Sequence, residues 1–290
     1  MGDRAMTKLD DQNLHIFTPA GMWGDQILNL FSSHYHMQNM GKKGVIIHTG
    51  KDLFATHHHR YAPIESDILK FWTTFDFVKG ILFDVDQRTL PHDAKTSNYD
   101  IFPFLDFPYD DDYKCDLANH IDFSLFPDSS LKVTGSKIAV FQPLSLKNKP
   151  PLLKNDFICE WELSVNQLIA NGYTVYVIGG AEDTKDYDAL YPQFSGRKQI
   201  TNLMGKISMF EAIDLVMNKA DFVLSCCSWS AWFGIASRTK TAFAAGPLLE
   251  DGTDGKYLNL MKNKDIFYMD YSSKKGHADS SISEWIKNNA

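Results

Sequence analysis

The feature that most constrains the fold is a repeated alternation of short apolar segments with longer segments of helical periodicity. Residues 14–18 form a first apolar run, residues 26–40 carry apolar side chains at helical spacing, and residues 45–48 form a second apolar run. A strand, a helix and a second strand in this order predict a right-handed βαβ unit with parallel strands. The chain therefore begins as an α/β fold.

The alternation continues along the chain and is interrupted once. A helix is predicted at 64–75 and a strand at 80–85, whereas residues 86–127 show no clear period. An irregular segment of this length is more often functional than a plain connection, so acceptor contact and packing around short elements are both open. A second series comprises predicted strands at 138–141, 173–178, 221–224 and 241–244, predicted helices at 157–170, 209–218 and 230–237, and a closing helix near 280–289.

The length of the chain and the position of the interruption predict two domains. A chain of 290 residues is long for one simple domain and comfortable for two. The fold class we expect is α/β, with two Rossmann-like domains, 1–133 and 134–290, facing across a cleft. For the closing helix, packing against the first domain and packing against the second are both open. Ligands of such sheets bind beyond the carboxyl ends of the strands, which directs attention to the loops that follow them.

The charge of the chain argues against nucleic acid as a partner. The formal net charge is −7, so a phosphate backbone or an anionic membrane is repelled on average. Hydrophobic residues make up 44% of the chain and charged residues 22%, which excludes general disorder. A local basic patch remains open at Lys147, Lys149 and Lys154. We expect at most peripheral contact with a membrane.

The cysteines and the apolar runs indicate a cytoplasmic protein. Cys115, Cys159, Cys226 and Cys227 lack metal-ligand spacing, and reduced thiols are the simplest account of them. Residues 1–12 are polar and charged, unlike a signal peptide. No apolar run approaches the ~18 residues that a membrane span needs.

The turn after the first predicted strand is the first candidate site. Glycines at 21 and 24 let the backbone approach a ligand, and the start of the following helix favours an anion. Asp25 at this position suits a base that faces the cleft. The alternative is a tight turn in which Asp25 caps the helix.

Two further loops follow strands of the second series. Lys147 and Lys149 come after the first of these strands, where a cation can meet a diphosphate, although a solvated surface loop explains them too. Gly180 and Glu182 follow the second strand, where glycine admits a ligand and the carboxylate could accept hydrogen bonds from a ribose or base. A bare turn is the alternative there.

The segment Cys227-Ser228-Trp229-Ser230 precedes a predicted helix. Its hydroxyls and the backbone N–H groups of the helix start would cradle a phosphate without a metal. A catalytic cysteine at Cys226 or Cys227 is the alternative, but the sequence identifies no His and Asn or Asp partner for it.

Acidic and histidine clusters supply the rival interpretation, a metal site. Asp84 and Asp86 end an apolar strand, where two carboxylates could hold a divalent cation against a nucleotide diphosphate. A plain acidic strand end is the alternative. The run Asp110 to Asp112 is typical of a solvated surface, and the adjacent histidines 57–59 point in different directions, which disfavours joint ligation. We expect no bound metal.

Taken in order, these segments resemble the ADP-heptose:LPS heptosyltransferase-like family of GT-B glycosyltransferases. The resemblance is clearest over residues 136–247 and 14–40. In that family a G-x-x-G-D turn opens the first domain and its Asp is the proposed catalytic base. The turn ending in Gly24 and Asp25 matches it, so the resemblance gives Asp25 that role.

The second domain carries the remaining similar motifs. The K-x-W-P element near the donor diphosphate is similar to residues 147–150, with Lys149 in place of Trp. The glycine turn with an acidic residue for the nucleoside is similar to 179–182, and a leucine-glycine-threonine type segment to 203–208. The family's D-[ST]-G-x-x-H motif corresponds to 227–232, which retains Ser228 alone.

The resemblance implies a function. The first domain would face the acceptor, and the second would bind the nucleotide sugar through Gly180, Glu182, Ser228 and their neighbours. The chain would transfer a hexosyl or heptosyl group to a hydroxyl of a glycan, glycolipid or other acceptor, with inversion and with no metal or cofactor. The alternatives are a metal-dependent glycosyltransferase that uses Asp84 and Asp86, a sugar-nucleotide epimerase, and a non-catalytic nucleotide-sugar-binding protein.

Overall fold

The computed structural model describes nine segments of the chain: residues 12–17, 23–49, 65–83, 116–127, 131–144, 155–226, 228–245, 265–270 and 281–290. They divide into two compact units. The first unit contains the described residues of 1–108 together with His120–Asp122, and the second contains those of Tyr109–Asn119 and Phe123–Ala290.

The first unit is built around a parallel three-stranded sheet. Its elements in chain order are β1 (Leu14–Phe17), α1 (Trp23–Asn39), β2 (Val45–Thr49), α2 (Glu65–Thr73) and β3 (Val78–Phe83). The strand order is β1-β2-β3, and both pairings are parallel. The predicted βαβ opening is therefore confirmed.

The two helices of the first unit are joined near the start of α1. Trp72 of α2 donates its indole N–H to Gln26 Oε1 of α1 at 3.1 Å, and both side chains are buried. The rings of Trp23 and Phe71 meet edge to face at 5.5 Å between centroids. These contacts hold the first turn of α1 in place against α2.

The second unit is a larger parallel sheet with helical connections. Its elements are β4 (Ile138–Gln142), α3 (Asn155–Ala170), β5 (Thr174–Val177), α4 (Thr184–Leu190), β6 (Ile200–Asn202), α5 (Met209–Asp214), β7 (Phe222–Cys226), α6 (Trp229–Ala236), β8 (Lys240–Ala245), β9 (Ile266–Asp270) and α7 (Ile282–Asn289). A π-helical turn, Leu215–Lys219, continues α5. Two 3-10 turns, Leu117–His120 and Phe123–Leu125, lie in the segment where the sequence shows no clear period.

The strand order of the second sheet is that of a Rossmann fold. The order is β6-β5-β4-β7-β8-β9 with every pairing parallel, which corresponds to the order 3-2-1-4-5-6. Strands β5 and β6 are added on one side of β4, and strands β7, β8 and β9 are added on its other side. A ligand crevice of this fold lies beyond the carboxyl ends of those two strands.

The core of the second unit explains why its strands read as continuous apolar runs. Buried aromatic and aliphatic side chains fill the layer between the sheet and α3, because strands covered on both faces bury every residue. The ring of Trp161 in α3 meets Phe141 of β4 at 5.7 Å between centroids. Ile282 and Ile286 of α7 are fully buried in the same cluster. The closing helix thus has its described contacts in the second unit, with α3 and β9.

Several elements differ from the sequence expectation. Helix α1 begins at Trp23 rather than Gln26, because Trp23 packs on α2 and extends the helix by one turn. Strands β6 and β9 and helix α4 were not anticipated. Helix α5, predicted at 209–218, starts with a capping box: Ser208 Oγ accepts from Glu211 N at 3.2 Å and Glu211 Oε2 accepts from Ser208 N at 2.8 Å.

Among the helices of the described segments, none is both long enough and apolar enough to cross a membrane.

Candidate functional site

The candidate site lies at the carboxyl edge of the second sheet, where β4 and β7 end side by side. Gln142 closes β4 and pairs in register with Ser225 of β7. The chain then leads from β7 into α6 through Ser228 at the N-cap position. This is the crossing point of the strand order, where the fold opens a crevice.

Gln142 ties the two strand ends together through its side-chain amide. Its Nε2 donates to Ser228 Oγ at 3.0 Å and to the backbone oxygen of Leu144 at 3.4 Å. The side chain is buried, and its Oε1 has no hydrogen-bond partner among the residues that the structure describes. Leaving a buried acceptor unsatisfied costs about 1–3 kcal/mol, so an orphan of this kind calls for an explanation.

Ser228 stands at the start of α6 but does not cap it. Its backbone is extended, as an N-cap requires, yet its side chain makes no hydrogen bond to the first turn of the helix. The first-turn N–H groups of α6 are therefore not covered by the Ser228 side chain. Such groups, together with the positive end of the helix dipole, favour an anionic ligand.

Ser230 and Cys226 face inward at the same strand end. Ser225 Oγ donates to the backbone oxygen of Cys226 at 2.6 Å and lies 2.7 Å from Ser230 Oγ. Since the single Ser225 proton is used, Ser230 is the donor of the second bond. Ser230 is fully buried, so a phosphate would meet its backbone N–H rather than its hydroxyl. Cys226 is buried in the core, which is the environment of an unreactive thiol.

Trp229 forms the first position of α6. Its side chain is half-buried, and its ring meets Phe233 of the next turn edge to face at 5.7 Å between centroids. The exposed part of this ring lies at the first turn of the helix and offers an apolar surface beside its N–H groups.

A glycine turn follows β5 on the other side of β4. The backbone N–H of Gly205 donates to Gly179 O at 3.0 Å, which joins this turn to the segment after β6. Gly205 has φ +65°, and a Cβ there would lie 2.6 Å from Ala181 Cα. The two segments singled out by resemblance, 179–182 and 203–208, therefore pack directly on each other.

Glu182 projects from this turn. It lies in the 3-10 turn Ala181–Asp183 and is exposed. A Cβ on Gly180 would meet the Glu182 carboxylate, with Oε2 at 2.6 Å, so the carboxylate folds over the bare backbone of Gly180. An exposed carboxylate here can accept hydrogen bonds from the hydroxyls of a ribose.

Asp25 occupies the first turn of α1 in the first unit. It is half-buried, between Gly24 and Gln26, which are both buried. The positive end of a helix dipole stabilises a carboxylate at this position. Because Gln26 is held by Trp72, the turn that carries Asp25 is fixed in place.

Several candidate residues lie outside the described residues. These are Lys147, Lys149, Cys227, Asp84 and Asp86, and the histidines 57–59. Their predicted roles remain predictions. Within the segments that are described, no group of three or more His, Cys, Asp and Glu side chains is arranged to hold a metal ion.

Comparison with known proteins gives a fold. No protein-family model matches the sequence, and no curated protein matches it. Among solved structures, the chain is similar to ADP-heptose LPS heptosyltransferase II of E. coli, with 12% identity and a TM-score of 0.55 over 95% of this chain and 96% of that one. The chain has a heptosyltransferase-like fold. The predicted α/β fold class of the GT-B type is thereby confirmed.

Two further structures align over similar lengths. The E. coli heptosyltransferase WaaC with ADP has 13% identity and a TM-score of 0.49, over 95% of this chain and 97% of that one. The family 9 glycosyl transferase of Veillonella parvula has 11% identity and a TM-score of 0.46, over 96% and 94%.

Gln142 is a site residue that no motif in the sequence singled out. A polar residue that ends a fully buried strand was the available signal, because a buried amide needs partners and the carboxyl edge is where ligands bind. Its contact with Ser228 depends on the pairing of β4 with β7, which the sequence does not specify.

Proposed function

We propose that this chain is a glycosyltransferase that moves a sugar from a nucleoside diphosphate sugar to an acceptor hydroxyl, with inversion and without a metal or cofactor. The observation that carries the proposal is the carboxyl edge of the second sheet. There Gln142, Ser228 and the start of α6, which the Ser228 side chain does not cap, meet at the crossing point of a Rossmann strand order. The heptosyltransferase-like fold supports it.

The donor would bind to the second unit. Its diphosphate would lie at the first turn of α6, where Ser228 and the backbone N–H groups of Trp229 and Ser230 supply donors. Its ribose would lie toward Glu182 and the bare backbone of Gly180. Lys147 and Lys149 are proposed to add positive charge beside the diphosphate, and Cys227 a further backbone N–H.

The first unit would supply the base. In the proposed step the acceptor oxygen attacks the anomeric carbon while Asp25 takes its proton. The bond from the anomeric carbon to the diphosphate oxygen breaks, and the electron pair leaves with the nucleoside diphosphate. The N–H groups at the start of α6 and the ammonium group of Lys147 stabilise the negative charge that develops on the departing diphosphate.

The first test is a thermal-shift screen of nucleotide sugars, including ADP-heptose and the common hexose donors. A ligand at one hundred times its dissociation constant adds about 2.7 kcal/mol, which corresponds to roughly 5–10 °C in melting temperature for a domain of this size. A donor that shifts the transition is then offered with glycan and glycolipid acceptors, in the presence and absence of a chelator. No shift with any donor would contradict the proposal.

The second test replaces the base. We expect Asp25→Asn to lower the transfer rate at least 100-fold while donor affinity is unchanged, since general base catalysis contributes roughly 10²–10⁴-fold. Asp67→Asn is the matched control, because Asp67 is also the third residue of a helix in the first unit and is also half-buried. Equal rates for Asp25→Asn and the unmodified enzyme would refute the base assignment.

A non-catalytic nucleotide-sugar-binding protein is the second candidate. The observation in its favour is that residues 227–232 retain Ser228 alone of the family motif they resemble. Saturable donor binding with no product from any acceptor would establish it. Loss of activity in chelator with recovery in manganese would favour the metal-dependent alternative, and conversion of donor without acceptor would favour an epimerase.

A further inference from the structure

Three described helices of the second unit have a serine at the N-cap, and the side chains of two of these serines cap their helix whereas the third does not. Ser208 Oγ accepts from Glu211 N at 3.2 Å, and Ser281 Oγ accepts from Glu284 N at 3.1 Å. Ser228 makes no such bond. What distinguishes Ser228 is the buried amide of Gln142, which donates to its oxygen at 3.0 Å.

We propose that Gln142 is a positioning residue that holds Ser228 out of its capping role, so that the Ser228 hydroxyl and the first turn of α6 both serve the donor diphosphate. This inference rests on the proposed function and assigns a residue that the motifs do not contain. It also accounts for the buried amide, since Gln142 Oε1 has no hydrogen-bond partner among the described residues and its burial costs about 1–3 kcal/mol.

The hydrogen-bond donor and acceptor atoms of Gln142 and Ser228 follow from the partners of the Gln142 amide. The backbone oxygen of Leu144 can only accept, so the Gln142 atom 3.4 Å from it is the nitrogen. The same nitrogen donates to Ser228, whose oxygen is therefore the acceptor. A hydroxyl whose oxygen is occupied in this way keeps its proton for another acceptor, and a phosphate oxygen is the acceptor that the start of a helix attracts.

The test is the binding of inorganic pyrophosphate and of the diphosphates ADP, UDP and GDP, measured by calorimetry. Gln142→Met keeps the length of the side chain and removes its hydrogen bonds, which leaves Ser228 able to cap α6. We expect pyrophosphate and the preferred diphosphate to bind about tenfold more weakly, as for loss of a hydrogen bond to a charged group, without a fall in melting temperature.

Two serine variants provide matched controls. Ser228→Ala should weaken pyrophosphate binding about tenfold with little change in melting temperature, because Ser228 does not cap α6 and Gln142 Nε2 keeps the backbone oxygen of Leu144 as an acceptor. Ser281→Ala should leave binding unchanged and lower the melting temperature by roughly 2–4 °C, because it removes the cap of α7. The opposite pattern would overturn the proposal. Ser228→Ala also tests it if Gln142→Met does not fold.

A double variant distinguishes positioning from a separate effect of Gln142. If Gln142 acts through Ser228, the two changes together weaken pyrophosphate binding no more than Ser228→Ala alone. Additive losses would refute the positioning role. Donor binding that is unchanged in Gln142→Met would overturn this inference and leave the proposed function standing, whereas an unmodified protein that binds neither a nucleotide sugar nor any diphosphate would overturn both.

Discussion

Replacing Gly205 with alanine tests whether the glycine turn and the segment after β6 act as one support for the donor. Gly205 has φ +65°, which costs an alanine about 1–2 kcal/mol. Its Cβ would also lie 2.6 Å from Ala181 Cα and 3.1 Å from Ala181 N. These are backbone atoms, so relief requires that the turn itself moves, and overpacking of this kind costs about 1–3 kcal/mol more.

Gly196→Ala is the matched control for this substitution. Gly196 lies in the same unit with φ +74°, but a Cβ there would meet no described atom within 4 Å. Both variants carry the backbone strain, and Gly205→Ala alone carries the clash. We therefore expect Gly205→Ala to be less stable than Gly196→Ala by about 2 kcal/mol, or roughly 4–8 °C in the melting temperature measured by scanning calorimetry.

Gly205→Ala should also change the affinity for the nucleotide sugar. Because Gly205 N donates to Gly179 O at 3.0 Å, displacement of the turn also displaces Gly180 and Glu182. Donor affinity should fall in Gly205→Ala and stay unchanged in Gly196→Ala. Equal melting temperatures and equal donor affinities for the two variants would refute the argument that these segments form one support.

Two further predictions concern stability. Lys219 Nζ lies 2.6 Å from the buried Asp214, so Lys219→Met should cost about 3 kcal/mol in a denaturant titration, whereas the exposed Lys198→Met should cost almost nothing. Burial, aided by His120, lowers the pKa of His34 to about 4, so the folded protein keeps this imidazole neutral while the unfolded chain protonates it. Stability should therefore fall by roughly 3 kcal/mol as the pH drops from about 6.5 to about 4, and His34→Gln should remove that part of the loss.

The sequence allowed the main strands to be predicted because buried parallel strands read as unbroken apolar runs. The run at 138–141 became β4, Ile138–Gln142, and the run at 221–224 became β7, Phe222–Cys226. Strand β6, Ile200–Asn202, was missed because it is three residues long and only half-buried. Strand β9 was missed although its apolar run was visible, because it lies apart from the alternation that defined the other elements.

The candidate site was predictable only in part. Resemblance pointed to the glycine turn at 179–182 and to Ser228, and the structure places them at the carboxyl edge of one sheet. The sequence could not reveal that Ser230 turns inward to Ser225, or that Gln142 donates a hydrogen bond to Ser228. The first contact joins the end of β7 to the first turn of α6, and the second joins the end of β4 to the start of α6. The second depends on the pairing of β4 with β7 rather than on a local pattern.

The most direct measurement of the central claim is hydrogen–deuterium exchange of the protein with and without the nucleotide sugar that the screen identifies. We expect slower exchange in the bound protein at two places, the first turn of α6 from Ser228 onward and the turn that carries Gly180 and Glu182. Slower exchange confined to other segments, with both of these turns unchanged at saturating ligand, would contradict it.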